Sequence, residues 1–315
     1  GVFDSPGSAN RAALYGSLAI LADWTGGVRV VDISHPANPL EVGSFITRAA
    51  DPIDLALAGR YAYVLNNSGV QALQVFDVAD PANPVFMAGL DIPGEGLGLD
   101  VQDTHLYLAA DDAGMLVVDV SDPAHPVLAG GLDTLGYAQE VFVDGHLAYL
   151  ADGQAGLLVV DILDPAHPIQ LGAAPGAGFT RNVAASGDYA YTVGEVGFQV
   201  YNVADPANPM IVAQEPSATI WSCALALGLH TAYVSGWDGI LRAVDISNPL
   251  APVQVGTWSM PDSITRVSLS GNVAWVAGDI GGVRAINTAD PTSLVEAASY
   301  DTAGQVDAAE AGCGM

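Results

Sequence analysis

Acids, amides and arginines recur at one point of a repeated pattern in this chain, and that recurrence is the first candidate for chemistry. Read copy by copy, the point is occupied by Arg11, Asp54, Leu99, Glu140, Asn182, Ala224 and Arg266. If the copies close into a ring, two acids, two arginines and an amide face one axis. Such a ring binds a polar ligand or a cation; alternatively its charges neutralise one another around ordered water. Asp54 and Glu140 would also supply the two carboxylates of glycoside hydrolysis, a reaction whose course depends on their separation. Aromatic faces beside acids stack sugars. Tyr137, Phe179, Trp221 and Trp258 fall in the segments that lead into the copies, with Trp24 and Trp237 in later hairpins. The same rings serve equally well as packing wedges.

Other chemistries are poorly served. His35, His125 and His167 sit in proline-rich turns, and His105, His146 and His230 at hairpin turns expected on the opposite face. No two leading segments carry histidine, so a histidine-bound zinc or iron centre is not expected. The chain has no Gly-x-Ser-x-Gly elbow, no Ser/His/Asp set on one face, and no glycine loop opening a helix. Calcium is harder to set aside. Asp111 and Asp112, Asp51 with Asp54, and Asp301 with Asp307 offer oxygens, but none follows a known calcium-loop pattern. Solvated acidic turns are the plain reading of all three.

The elements that would position these residues are legible from the repeat. A glycine, a short apolar run, an Asp or Asn and a proline-rich turn recur seven times. Gly156-Leu157-Leu158-Val159-Val160-Asp161, followed by Asp164-Pro165-Ala166-His167-Pro168, is the clearest copy. The Asp/Asn falls at 32, 77, 119, 161, 202, 245 and 287, at intervals of 45, 42, 42, 41, 43 and 42 residues. A period near 40–45 residues made of strands and turns marks a β-propeller blade. In the fourth copy, runs at 139–143, 147–151, 157–162 and 169–172 predict four short strands of one antiparallel blade. The third run is apolar throughout, so both of its faces are buried. Proline lacks the N–H of a ladder residue, so each proline turn leads into an outer edge strand. The expected fold is all-β, a seven-bladed β-propeller of four-stranded antiparallel blades spanning 1–315. Substrates or partners would meet its channel where the loops 45–53, 91–98, 133–139, 173–180, 214–222, 257–265 and 299–305 lead into the innermost strands.

Val28-Arg29-Val30-Val31-Asp32, Leu116-Val117-Val118-Asp119 and Leu157-Leu158-Val159-Val160-Asp161 resemble the LVIVD-repeat family, named for an apolar run ending in Asp. The resemblance spans nearly the whole chain; Asn202 and Asn287 depart from it. It implies a β-propeller, often exported or on the cell surface, and carries no catalytic motif. Residues 11–15 match an innermost strand, and so does 305–310, one more than seven blades need. Residues 299–315 are therefore a candidate closing or exchanged strand, with seven blades and loose ends the expected arrangement.

Composition narrows the partners. The net charge is −27 and all eight basic residues are arginine. Nucleic acid and anionic lipid both demand a basic patch, so neither is expected as a partner. No apolar run approaches the roughly 18 residues of a membrane span, and no amino-terminal signal pattern is present. The acidity fits a halophilic or exported protein, or a genome poor in lysine codons. Cys223 and Cys313 either pair, stapling the tail to the ring, or Cys223 is a small buried apolar residue. The leading functional expectation is a non-enzymatic exported or cell-surface module for protein binding or self-assembly through its terminal strands. The alternatives are a carboxylate enzyme on a carbohydrate-like substrate, or a small-ligand or calcium binder, at a channel mouth formed by Arg11, Asp54, Glu140, Asn182, Arg266, Trp221 and Trp258.

Overall fold

The computed structural model describes residues 9–23, 26–35, 40–47, 52–67, 71–215, 222–261, 263–278 and 282–300. They form seven four-stranded sheets, each built from four consecutive strands paired antiparallel in chain order. Blade 4 is representative, with strands Glu140–Asp144, Leu147–Ala151, Leu157–Asp161 and Ile169–Ala174. The apolar third strand has four consecutive buried residues, as expected for a strand covered on both faces.

In blades 2 to 7 the proline turn is set by two successive Asx turns, and blade 1 makes the first of them. Asp161 Oδ1 accepts the N–H of Leu163 at 2.9 Å. The same bond is made by Asp32, Asp77, Asp119, Asn202, Asp245 and Asn287. Asp and Asn both offer that oxygen, so the two Asn copies leave the geometry intact. Three residues on, Asp164 Oδ1 accepts the Ala166 N–H at 3.1 Å and its Oδ2 meets His167 Nδ1 at 3.0 Å. Where the copy carries Asn in place of His, Asn83 and Asn208 donate from Nδ2 to Asp80 and Asp205. His and Asn each offer a short nitrogen donor there, while the turns of blades 6 and 7 form with Ala251 and Ser293 at that position. Accordingly Asp122 and Asp164 are held below the usual carboxylate range, chiefly by the histidine hydrogen bond.

The turn also makes the outer seam between blades. A Cβ on Gly172, in the outer strand of blade 4, would lie 2.5 Å from the Pro206 carbonyl oxygen and 2.6 Å from Pro209 Cδ in blade 5. Gly130 of blade 3 meets the Pro165 turn of blade 4 in the same way. Closer to the axis, seven apolar clusters fill the seven seams. One joins Tyr107, Met115 and Val117 of blade 3 to Val141, Leu150 and Val160 of blade 4. Another sets Trp275 of blade 7 against Ala19, Leu21 and Val31 of blade 1, closing the ring.

The innermost strands are Ala9–Tyr15, Pro52–Ala58, Gly98–Gln102, Glu140–Asp144, Thr180–Ser186, Ser222–Leu227 and Ile264–Ser270. Each packs against the innermost strand of the next blade, the first against the last, so together they ring the axis. Every sheet is complete within the described residues. Residues 299 and 300 belong to the outer strand of blade 7, Val295–Tyr300. Residues 301–315, with Cys313 and Asp301/Asp307, lie outside the described residues, so the Cys223–Cys313 pairing falls there too.

Candidate functional site

The hydrogen-bond ladders fix which residues share the channel mouth. Asp54 stands opposite Leu65, Glu140 opposite Ala151, Asn182 opposite Val193, Ala224 opposite Ser235, Arg266 opposite Ala277 and Arg11 opposite Ala22. In blade 3 the residue at that register is Gly98, opposite Ala109. Leu99 is one position further on and does not share it. A one-residue slip moves a side chain to the other face of its strand. Leu99 is accordingly 1 % exposed and packed in the core between blades 2 and 3.

Three of the expected residues meet. Arg266 Nη1 lies 3.1 Å from Glu140 Oε2, spanning from blade 7 to blade 4, and Asn182 Nδ2 donates to the same oxygen at 3.3 Å. The Glu140 side chain is 5 % exposed and that of Arg266 18 %, so the pair is largely desolvated. Asp54 is spent elsewhere. Its Oδ1 accepts the N–H of Leu55 at 2.7 Å and its Oδ2 the N–H of Leu99 at 3.0 Å, tying blade 2 to blade 3. Asp100 repeats this one blade on, accepting from Val101 at 2.8 Å and from Val143 of blade 4 at 2.9 Å. The sequence reading passed over Asp100. Its signal was its place two residues beyond Gly98, on the same strand face.

Below this triad the channel opens into a cavity of about 420 Å³. Glu140, Asn182 and Arg266 stand among its lining residues with Asp100, while Ala184, Ala226 and Gly228 leave the width. Arg11 has its backbone at the equivalent register in blade 1; Trp221 and Trp24 lie outside the described residues. Trp258 is half-buried against the core between blades 6 and 7 and acts as a wedge.

The mouth-side loops of blades 3 to 5 hold a second arrangement. Asp152, fully buried, accepts from Thr134 Oγ1 at 2.7 Å and from the Gly136 N–H at 3.0 Å. Burial pushes its carboxyl above the usual range, and these two bonds oppose that shift. Asp111 is fixed by its backbone, exchanging hydrogen bonds with Ala138 at 3.1 and 2.9 Å. Its carboxyl is also raised, first by burial and then by neighbouring Asp112. Among the described residues no three His, Cys, Asp or Glu side chains gather as a metal site. Phe179 stacks under the Arg181 guanidinium at 4.9 Å, and its ring lies beside Gly153. The buried clamp at Asp152 went unread in the sequence, although Asp23 and Asn66 occupy the same register in blades 1 and 2.

A closed ring of seven four-stranded blades with an ion-paired, hydrogen-bonded channel mouth defines a β-propeller. Solved propellers match it: the WD40 β-propeller domain of Doa1, at 12% identity and TM-score 0.72, covering 90% of this chain and 94% of that one. The computationally designed Ika8 protein matches at 13% identity and TM-score 0.69, covering 88% of this chain and 82% of that one. Such identities speak for the fold alone. No curated protein matches the sequence. The LVIVD-repeat model matches seven times, at residues 6–47, 50–91, 93–134, 135–173, 177–214, 231–259 and 263–302. The chain belongs to the LVIVD-repeat family, and its repeats build a binding or structural module. No helix among the described residues is long and apolar enough to cross a membrane.

Proposed function

We propose that this protein is a non-enzymatic binding module, exported or displayed at the cell surface, that engages another protein. One observation carries the reading: the acids around the channel are engaged in holding blades together. Asp54 and Asp100 accept backbone N–H groups across two seams, and Glu140 accepts from Asn182 and Arg266. A hydrolase needs one carboxyl with a proton to give and another facing water or substrate. Carboxylates saturated by N–H donors are poor at both. The acidity and the family resemblance support an exported or surface location. Purified protein should hydrolyse none of a panel of aryl glycosides above the buffer rate. Turnover that disappears in Glu140→Gln would overturn the reading. Antibody raised to the folded propeller should label intact cells or the culture fluid, and retention wholly in the cytosol would refute the location.

Assembly through the chain ends is the other form of this reading, carried by residues 299–315. Deleting 302–315 should then reduce the mass in solution to that of a monomer, and an unchanged mass removes it. The cavity favours a second reading, a small polar ligand held by Glu140, Asn182 and Arg266. Its volume falls within the range of ligand pockets. Calorimetric titration with monosaccharides, and separately with calcium, tests this reading; heat lost in Arg266→Met supports it and no heat in either titration removes it.

A further inference from the structure

We infer that the loop 133–139, at the mouth face between blades 3 and 4, is a preorganised docking knob for a protein carrying an apolar pocket rimmed by basic side chains. The inference rests on the binding-module reading and names the surface and the partner's chemistry. Leu135 at the loop's tip is 98 % exposed and Tyr137 is 48 % exposed. Exposed leucines are ordinary on loose loops, but this loop is clamped. Thr134 and Gly136, on either side of Leu135, both donate to the buried Asp152 carboxylate. Beyond Tyr137, Ala138 is locked to Asp111 by two backbone hydrogen bonds. The fit is close at Gly136, where an added Cβ would overlap the Asp152 carbonyl and approach its Cγ to 2.8 Å. The backbone is thus fixed in a conformation that holds two large apolar side chains out in water. A loop ordered before binding loses little entropy on binding, and a rigid apolar anchor is the usual centre of a protein interface.

Charge identifies the partner. Asp133 is exposed on this loop, and Asp91, Glu95, Asp112 and Glu195 are exposed on the other mouth-side loops of blades 3 to 5. The arginine among these loops, Arg181, is 5 % exposed and engaged with Phe179. An apolar tip inside an acidic surround complements an apolar pocket with an Arg- or Lys-rich rim and repels a second copy of this chain, itself at −27.

A random peptide library displayed on phage, panned on the whole folded protein, tests this. Enriched peptides should place Arg or Lys around an aliphatic or aromatic residue. The best of them, synthesised, should bind Leu135→Asp at least about tenfold more weakly than wild type. Leu229, 89 % exposed at a hairpin turn at the opposite end of an inner strand, is the control, and Leu229→Asp should leave binding unchanged. Raising the salt should weaken binding. Both variants alter exposed residues, and an unchanged melting temperature confirms their folding. Peptides that bind independently of Leu135 overturn the knob while leaving a binding module. Leu135-dependent peptides without basic residues overturn the partner's chemistry. A wild-type dimer that Leu135→Asp dissolves makes the occupant a second copy and overturns the proposal, and failure to enrich any peptide overturns it as well.

Discussion

Replacing Gly172 by alanine should destabilise the protein, against the usual benefit of removing a glycine. The backbone at 172 lies outside the left-handed region, so alanine is conformationally allowed there. By itself that change stabilises by about 0.4–1 kcal/mol, because the unfolded chain has less freedom to lose. The new Cβ, however, would sit 2.5 Å from the Pro206 carbonyl oxygen, 2.6 Å from Pro209 Cδ and 2.8 Å from the Ala207 carbonyl carbon. Two of these are backbone atoms of a turn fixed by the Asp205 hydrogen bonds, so they cannot swing aside as a flexible side chain would. Moving that turn by several tenths of an ångström is an overpacking cost of about 1–3 kcal/mol. The difference leaves a net loss on the order of 1–2 kcal/mol, or a fall of about 2–3 °C in melting temperature for a chain of this size. Ala213 holds the equivalent register in blade 5, opposite Val200 as Gly172 stands opposite Val159. Ala213→Gly should also destabilise, by about 0.5–1 kcal/mol, from backbone entropy alone. Urea unfolding of both variants decides the matter. A Gly172→Ala protein as stable as wild type, or more so, would refute the account of the outer seam.

Four further outcomes follow from the same geometry. Arg266→Met removes the cation 3.1 Å from the Glu140 carboxylate, which stays buried, and should cost about 3 kcal/mol in urea unfolding, with Glu140→Gln costing clearly less. Asp152→Ala removes the acceptor for Thr134 and Gly136, so the Gly136 amide should lose protection in hydrogen exchange while the blade 4 strands keep theirs. The turn carboxylates Asp32, Asp119, Asp122, Asp164, Asp245 and Asp290 are depressed on folding, so the stability they lend is present above their unfolded value. It should be lost as pH falls through their folded values in an acid titration of the unfolding midpoint, whereas raised Asp152 lends stability that is lost as pH rises through its folded value. Light scattering should give the monomer mass of 32.2 kDa with calcium and with EDTA alike; large metal-dependent species would shift the function to assembly.

The repeat was legible because its physics is local. A four-residue apolar third strand, an Asx oxygen two residues before the N–H it accepts, and a proline that cannot join a ladder all lie within about a dozen residues. The channel mouth was legible in part. Glu140, Asn182 and Arg266 do converge, but their register had to come from ladders that no single segment displays. Gly98 carries no side chain to mark its face, so the apolar Leu99 took its place in the reading, one residue out of register. Asp54 looked like a free acid and Asp100 went unread, because their partners, Leu99 and Val143, lie 45 and 43 residues away on the next blade. The clamp of Asp152 on 134–136 is another contact between blades, and Leu135 is conspicuous only once that clamp is known.

The measurement that tests the central claim most directly is the hydrogen-exchange footprint of the best library peptide on the wild-type protein. If the acids of the channel brace the ring and the clamped loop does the binding, exchange should slow in 91–98, 111–114, 133–139 and 176–180 on the mouth face. Slowing confined to the innermost strands around Glu140, Asn182 and Arg266 would contradict it, making the channel the binding site and its ion pair part of that site.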